Sequence, residues 1–173
     1  MENGTLVGIA EVAIVFAGFA GISVVLSRRQ PGEWTYTEAV RMSCMIESSL
    51  TVAFFALLPI VFASFAASPA TTWTACSAGL ALVTILHMIV TGNRMRRAYA
   101  QDAEDRMPWL FRLAMLVLGL ATVAGLSLNV LGVVFHRVAG PFVGGLLFHL
   151  VFAGFMFTRS LTLLRSPTSG DRC

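Results

Sequence analysis

Five long apolar stretches dominate the sequence, and each is long enough to cross a lipid bilayer. A transmembrane helix needs about 20 mostly apolar residues, because the hydrocarbon core is about 30 Å thick. The stretches cover residues 5–26, 40–66, 73–92, 109–135 and 141–161. Of 173 residues, 57% are hydrophobic and 12% are charged, so the spans and their connections use nearly the whole chain. We predict an all-α integral membrane protein, a five-helix bundle forming one transmembrane domain over residues 1–173.

The arginines predict the orientation of this bundle. Every basic residue is an arginine, and only Arg137 follows the second or the fourth stretch. The other arginines lie after the first and third stretches or near the C-terminus, at positions 28, 29, 41, 94, 96, 97, 106, 112, 159, 165 and 172. Cytoplasmic loops carry an excess of Lys and Arg. We therefore expect the N-terminus outside and the C-terminus in the cytoplasm, in the inner (plasma) membrane of a bacterium.

The connections contain recognisable helix signals. Thr35 and Glu38 have the spacing of a capping box, which starts a helix before the second span enters lipid. Pro59 predicts a kink in that span, because proline removes a backbone donor. Residues 93–107 are polar and should form a cytoplasmic helical extension followed by a turn, whereas residues 166–173 should be a flexible tail.

The net charge of +3 does not indicate a nucleic-acid partner, because no basic stripe with interleaved aromatic residues is present. Arginines beside membrane ends are explained by topology and by the bilayer surface. We expect the lipid bilayer to be the partner, with anionic head groups at Arg94, Arg96 and Arg97. A role of these three arginines in topology alone is the competing interpretation.

Polar residues inside the apolar stretches are the candidate functional residues, because such groups are costly in hydrocarbon. Counting 1.5 Å per residue from the expected span ends places them in two layers. The outer layer contains Glu11, Asn129 and His149, and the inner layer contains Glu47 and His87.

Glu11 is the first candidate, because it lies among small and apolar residues without a local counter-charge. The first span also carries Gly18 and several alanines, so it can approach other helices closely. A homo-oligomer could line a central pore with Glu11 and Gly18, and Phe16 or Phe19 could form an apolar constriction. Alternatively, a protonated Glu11 could bond to Asn129 or His149 and hold helices together.

Glu47 and His87 form the second candidate, at matching estimated depths. A Glu and His pair can share a proton near neutral pH, which suits a proton relay or gate. A buried hydrogen-bonded pair that only fixes helix packing is the alternative.

No enzyme signature is present: the sequence lacks a zincin motif, a P-loop and a nucleophile elbow. A haem needs two axial ligands at one depth, and His87 and His149 are estimated to differ by about 8 Å. Cys44, Cys76 and Cys173 fall at separate depths, which disfavours a disulfide or a metal site. We expect no enzymatic activity, no cofactor and no metal.

Three function classes are consistent with this pattern. The first is a small homo-oligomeric channel or pore subunit lined by the first helix, in which Glu11 carboxylates would attract cations. The second is a proton-linked small-solute transporter or a proton pathway that uses Glu47, His87, Asn129 and His149. The third is a non-catalytic membrane scaffold or partner subunit in which the buried polar residues only stabilise packing.

Overall fold

The computed structural model describes residues 3–26, 35–101 and 108–164. The helices in these residues are α1 (Asn3–Leu26), α2 (Tyr36–Ser64), α3 (Pro69–Gln101), α4 (Trp109–Leu131) and α5 (Ala139–Leu164). All five are long and apolar enough to cross a membrane, which confirms the predicted number of spans. The end of the predicted 93–107 extension, the 166–173 tail and five arginines (28, 29, 106, 165 and 172) lie outside the described residues. The side of the membrane that each terminus faces stays a prediction.

The predicted capping box at the start of α2 is confirmed. The Thr35 hydroxyl accepts the Glu38 backbone N–H at 3.2 Å, and the Glu38 carboxylate accepts the Thr35 N–H at 3.0 Å. Such a cap stabilises a helix start by about 1 kcal/mol. The helix then continues without a break through the buried Pro59 to Ser64.

The third helix is longer than its apolar stretch. It begins at Pro69 rather than near Trp73, because a proline at the first helical position lacks only a donor that would be unpaired there anyway. At its other end it continues beyond Gly92 to Gln101. This extra length changes which residues of α2 and α3 lie at the same level.

The centre of the bundle is formed by α2, α3 and α5, which contact one another. The first helix packs against α2 and α5, and α4 packs against α3 and α5. The starts of α2 and α4 lie with the end of α3 at one end of the bundle. We call this the arginine end, because it carries Arg41, Arg94, Arg96, Arg97 and Arg112.

Two hydrophobic clusters fill the interior at different heights. One, toward the arginine end, includes Met45, Tyr99 and Met156. The other, toward the opposite end, includes Leu80 and Leu126. The polar residues that form the candidate site lie between these two clusters.

Candidate functional site

Four polar side chains follow one face of α3 from its middle toward the arginine end. Thr84, His87, Thr91 and Arg94 are separated by three, four and three residues. Residues three or four apart are neighbours on a helix surface. Their partners come from α2 and α5, so the line of polar groups lies among the three central helices.

Arg94 forms an ion pair with Glu47 of α2, with its Nη1 2.5 Å from the carboxylate Oε1. Both side chains are about two-fifths exposed, so the pair lies at the surface of the helix bundle. The expected hydrogen-bonded partner of Glu47 was His87, and that prediction is wrong. Arg94 lies seven residues beyond His87 along α3, and it is Arg94 that is level with the carboxylate.

His87 instead bonds to hydroxyl groups. Its Nε2 lies 3.2 Å from the Ser48 hydroxyl and 3.4 Å from the Thr91 hydroxyl. The Cys44 thiol donates to the Thr91 hydroxyl at 3.7 Å. Ser48 directly follows Glu47, and Thr91 lies one turn from Arg94. The two hydroxyls therefore lie between the height of the ion pair and the height of His87.

His149 of α5 has no exposed surface. Its Nε2 lies 3.1 Å from the Thr84 hydroxyl, which donates its only proton to the Leu80 carbonyl at 2.7 Å. The hydroxyl therefore accepts from His149, which assigns the histidine proton to Nε2. The other ring nitrogen, Nδ1, is then an acceptor, and it is buried without a hydrogen-bond partner.

The two histidines are in direct contact. Their ring centroids are 5.4 Å apart and the planes meet at 70°, an edge-to-face arrangement. Each residue is close to the midpoint of its helix, so the pair lies near the middle of the bundle. The sequence estimate that separated them in depth is wrong, because it assumed helix ends at the limits of the apolar stretches. Edge contact leaves no room between the rings for a porphyrin plane.

An apolar layer separates the histidines from the opposite end of the bundle. It consists of Leu80, Leu126 and Leu146, none of which has exposed surface. Gly145 allows this packing: a Cβ added there would lie 2.8 Å from Leu80 Cδ2 and 3.3 Å from Leu126 Cδ1. Leu80, Leu126 and Gly145 are therefore closely packed, and they lie between the histidines and the far end of the bundle.

Asn129 lies beyond this layer and does not join the histidines. Its amide nitrogen donates to the Ser77 hydroxyl and to the Val138 carbonyl, both at 2.9 Å, and its oxygen accepts the Val138 N–H at 3.0 Å. Asn129 thereby fixes the loop between α4 and α5, in which His136 and Arg137 have positive φ angles of 48° and 60°. We interpret this residue as a structural clamp.

The predicted pore residues of α1 differ in exposure. Glu11, Gly18 and Phe19 are exposed, Phe16 is half-buried, and a Cβ at Gly18 would meet nothing within 4 Å. The rings of Phe16 and Phe19 lie 6.3 and 6.1 Å from that of Phe157 in α5. Glu11 does not form the alternative clasp, since Asn129 and His149 bond to other groups. The pore role of these four residues stays a prediction.

A cleft of about 390 Å³ opens between α3, α4 and α5. His87 and Met88 line it near the middle of α3, and Arg96 and Arg112 line it at the arginine end. The cleft contacts His87 on the side of α3 that faces α4 and α5, whereas Glu47 and Ser48 reach α3 from α2.

Several residues of the site were absent from the sequence predictions. Thr84 and Thr91 contact the two histidines, and Arg41 is fully buried although its position indicates an interfacial residue. The spacing of Thr84, His87, Thr91 and Arg94 was the available signal, because it places four polar groups on one face of an apolar helix. Within the described residues, no group of three or more His, Cys, Asp or Glu side chains could hold a metal ion.

Comparison with known proteins gives no relative from which a function could be transferred. No protein-family model matches the sequence, and no curated protein or solved structure is detectably similar to it. The classification that the structure supports is an all-helical membrane protein with five helices able to span a bilayer.

Proposed function

We propose that this membrane protein conducts protons through its histidine pair. The observation that carries the proposal is the buried Nδ1 of His149, which has no hydrogen-bond partner and lies on a ring that contacts His87. A buried polar atom without a partner costs about 1–3 kcal/mol. Ionisable residues in membrane helices often mark proton pathways, which gives this arrangement a functional rationale.

The pathway starts at the exposed ion pair of Glu47 and Arg94. From there the hydroxyls of Ser48 and Thr91 lead to His87, because a hydroxyl can both donate and accept. Histidine is the side chain whose ordinary pKa allows it to gain and lose a proton near neutral pH. For the proton to pass from His87 to the acceptor Nδ1 of His149, the rings must turn out of their edge-to-face contact, because Nδ1 has no hydrogen-bond partner in this arrangement. His149 then returns to its neutral form by releasing the proton on Nε2 toward the far side.

The layer of Leu80, Leu126 and Leu146 closes the pathway on the far side of His149. Conduction therefore requires these side chains to separate, or water to enter between them. An apolar constriction that opens by becoming wet is an established way to gate a membrane pathway. In this proposal the layer keeps the resting protein from leaking protons.

Purified protein in liposomes tests the proposal. A pH-sensitive dye inside the vesicles reports proton entry when a potassium gradient and valinomycin set the membrane potential. We expect wild-type vesicles to acidify faster than protein-free vesicles, and His87→Gln to lose most of the difference. Equal rates in wild-type and protein-free vesicles would contradict the proposal and favour a scaffold in which the polar network only stabilises packing.

A homo-oligomeric pore lined by α1 is the second candidate, and the exposed Glu11 favours it. This carboxylate lies on the same face as Gly4 and Gly18, at intervals of seven residues, and a Cβ at either glycine would meet nothing within 4 Å. Such a face suits close contact with copies of the same helix. The pore predicts an oligomer of four or more and an ion flux that Glu11→Gln changes and His87→Gln does not.

A further inference from the structure

The cleft between α3, α4 and α5 has an apolar wall of flexible side chains. Four methionines line it, at positions 88, 95, 115 and 156. Three phenylalanines, at positions 111, 148 and 152, also line it. Methionine side chains are flexible and polarisable, so they adapt to ligands of varied shape. The wall extends along α3 from His87 to Tyr99, which is about 18 Å at 1.5 Å per residue.

The end of the cleft at the arginine end is cationic. Arg96 comes from α3 and Arg112 from α4, and both side chains are exposed. Neither makes an ion pair with an acid in the part of the chain that the structure describes. Arg94 differs, because Glu47 neutralises it, and the exposed Arg97 does not line the cleft. Among the described residues, no acidic side chain neutralises Arg96 or Arg112.

We propose that the cleft binds one anionic membrane phospholipid. Arg96 and Arg112 hold the phosphate, and an acyl chain lies along the methionines and phenylalanines toward His87. Basic pockets between membrane helices are suited to anionic head groups, and guanidinium groups form strong, directional bonds to phosphate. The proposal of a lipid site does not rest on the proposed proton conduction. It assigns the head-group contact to Arg96 and Arg112, in place of the expected Arg94, Arg96 and Arg97.

The shape of the cleft favours a lipid over a soluble phosphate compound. A soluble anion would bind to the two arginines but would leave the apolar wall of the cleft uncovered. An acyl chain covers that wall and packs against it by van der Waals contact. A bound chain would also cover the side of His87 that faces the cleft and keep bulk water from it.

Native mass spectrometry of the detergent-purified protein tests the site. Dioleoyl phosphatidylglycerol, dioleoyl phosphatidylcholine and inorganic phosphate are titrated separately. We expect phosphatidylglycerol to bind at least ten times more tightly than phosphatidylcholine, since the acyl chains are identical and only the phosphatidylglycerol head group carries a net negative charge. Inorganic phosphate should show no saturable binding. Equal affinity for the two lipids, or tight binding of phosphate alone, would overturn the proposal.

Arginine variants locate the head group. Each of Arg96→Gln and Arg112→Gln should weaken phosphatidylglycerol binding about five-fold, since an arginine near a bilayer surface contributes about 1 kcal/mol. Arg97→Gln is the matched control, because it removes the same charge from the neighbouring position outside the cleft. A loss with Arg97→Gln as large as with the other two would indicate general surface charge and contradict a defined site.

A cleft-filling variant locates the acyl chain. Gly92 lines the cleft, and a Cβ added there would meet nothing within 4 Å. Gly92→Leu therefore places an apolar side chain in the cleft from a position with room for its Cβ, keeps both arginines and replaces glycine by a better helix former. We expect this variant to lose phosphatidylglycerol binding at least ten-fold while remaining folded. Unchanged binding would show that no chain enters the cleft and would overturn the proposed position.

Discussion

The rings of His87 and His149 meet edge to face near mid-height of the bundle, and only His149 is fully buried. His87 lines the cleft and has hydroxyl partners on both α2 and α3. His149 has one hydrogen-bond partner, Thr84, and a buried acceptor nitrogen. The pair thus joins a partly accessible histidine to an inaccessible one. This difference gives the proposed pathway its direction, from the arginine end toward the apolar layer.

Thr84→Val tests the bond that orients His149. The variant removes the hydroxyl that accepts from Nε2, so we expect a free energy of unfolding lower by about 1–3 kcal/mol and a reduced proton flux. Nitrogen chemical shifts of His149 should show the Nε2 proton in the wild type. Thr122→Val is the control, because Thr122 makes the same bond to the carbonyl four residues back, that of Leu118. A wild-type His149 protonated on Nδ1 would refute the assigned tautomer.

Leu126→Ala tests the apolar layer. Shortening this fully buried side chain leaves a cavity between the histidines and the opposite end. We expect a faster proton leak in liposomes, together with a loss of stability of about 2–5 kcal/mol. Leu120→Ala, at an exposed position of the same helix, should change neither. A folded Leu126→Ala protein with wild-type flux would show that the layer is not the barrier.

The ion pair of Glu47 and Arg94 predicts coupled effects of substitution. Glu47→Gln and Arg94→Gln each leave one charge without its partner, whereas the double variant leaves neither. We expect the double variant to be less destabilised than the sum of the two single variants, by about 1 kcal/mol. Denaturation in detergent measures the free energy of unfolding of the wild type, the two single variants and the double variant. Additive effects would mean that the pair contributes nothing to stability, as is common for exposed pairs.

Asn129→Ala distinguishes a structural clamp from a relay residue. The variant leaves the Ser77 hydroxyl and both backbone groups of Val138 without their partner, so we expect a clear fall in thermal stability. Proton flux per folded protein should stay at the wild-type level, because the apolar layer separates this residue from His149. A flux loss without a stability loss would instead place Asn129 in the pathway.

The sequence predicted the elements of the fold better than the contacts between them. Apolar length is a strong signal, so all five helices were found, and the Thr35 cap followed from a short-range pattern. The relative depths of the polar residues were predicted poorly, because the limits of an apolar stretch do not show how neighbouring helices are aligned along their axes. In the structure, the partner of Glu47 is Arg94 instead of the predicted His87. His149 contacts His87, although it was predicted to lie in the layer of Asn129.

Packing direction was also invisible in the sequence. Glu11 could be placed at a depth, but only the contacts of α1 with α2 and α5 show that it faces outward. Arg41 has the position of an interfacial arginine and is nevertheless fully buried. Such assignments depend on which helices are neighbours, which periodicity within one helix does not determine.

Proton flux through the His149→Gln protein is the most direct test of the account. His136→Gln serves as the matched control, because it replaces an exposed loop histidine by the same residue. With equal amounts of folded protein in liposomes, we predict that His149→Gln falls to the rate of protein-free vesicles and that His136→Gln keeps the wild-type rate. A His149→Gln protein that conducts protons as fast as the wild type would contradict a pathway through the histidine pair.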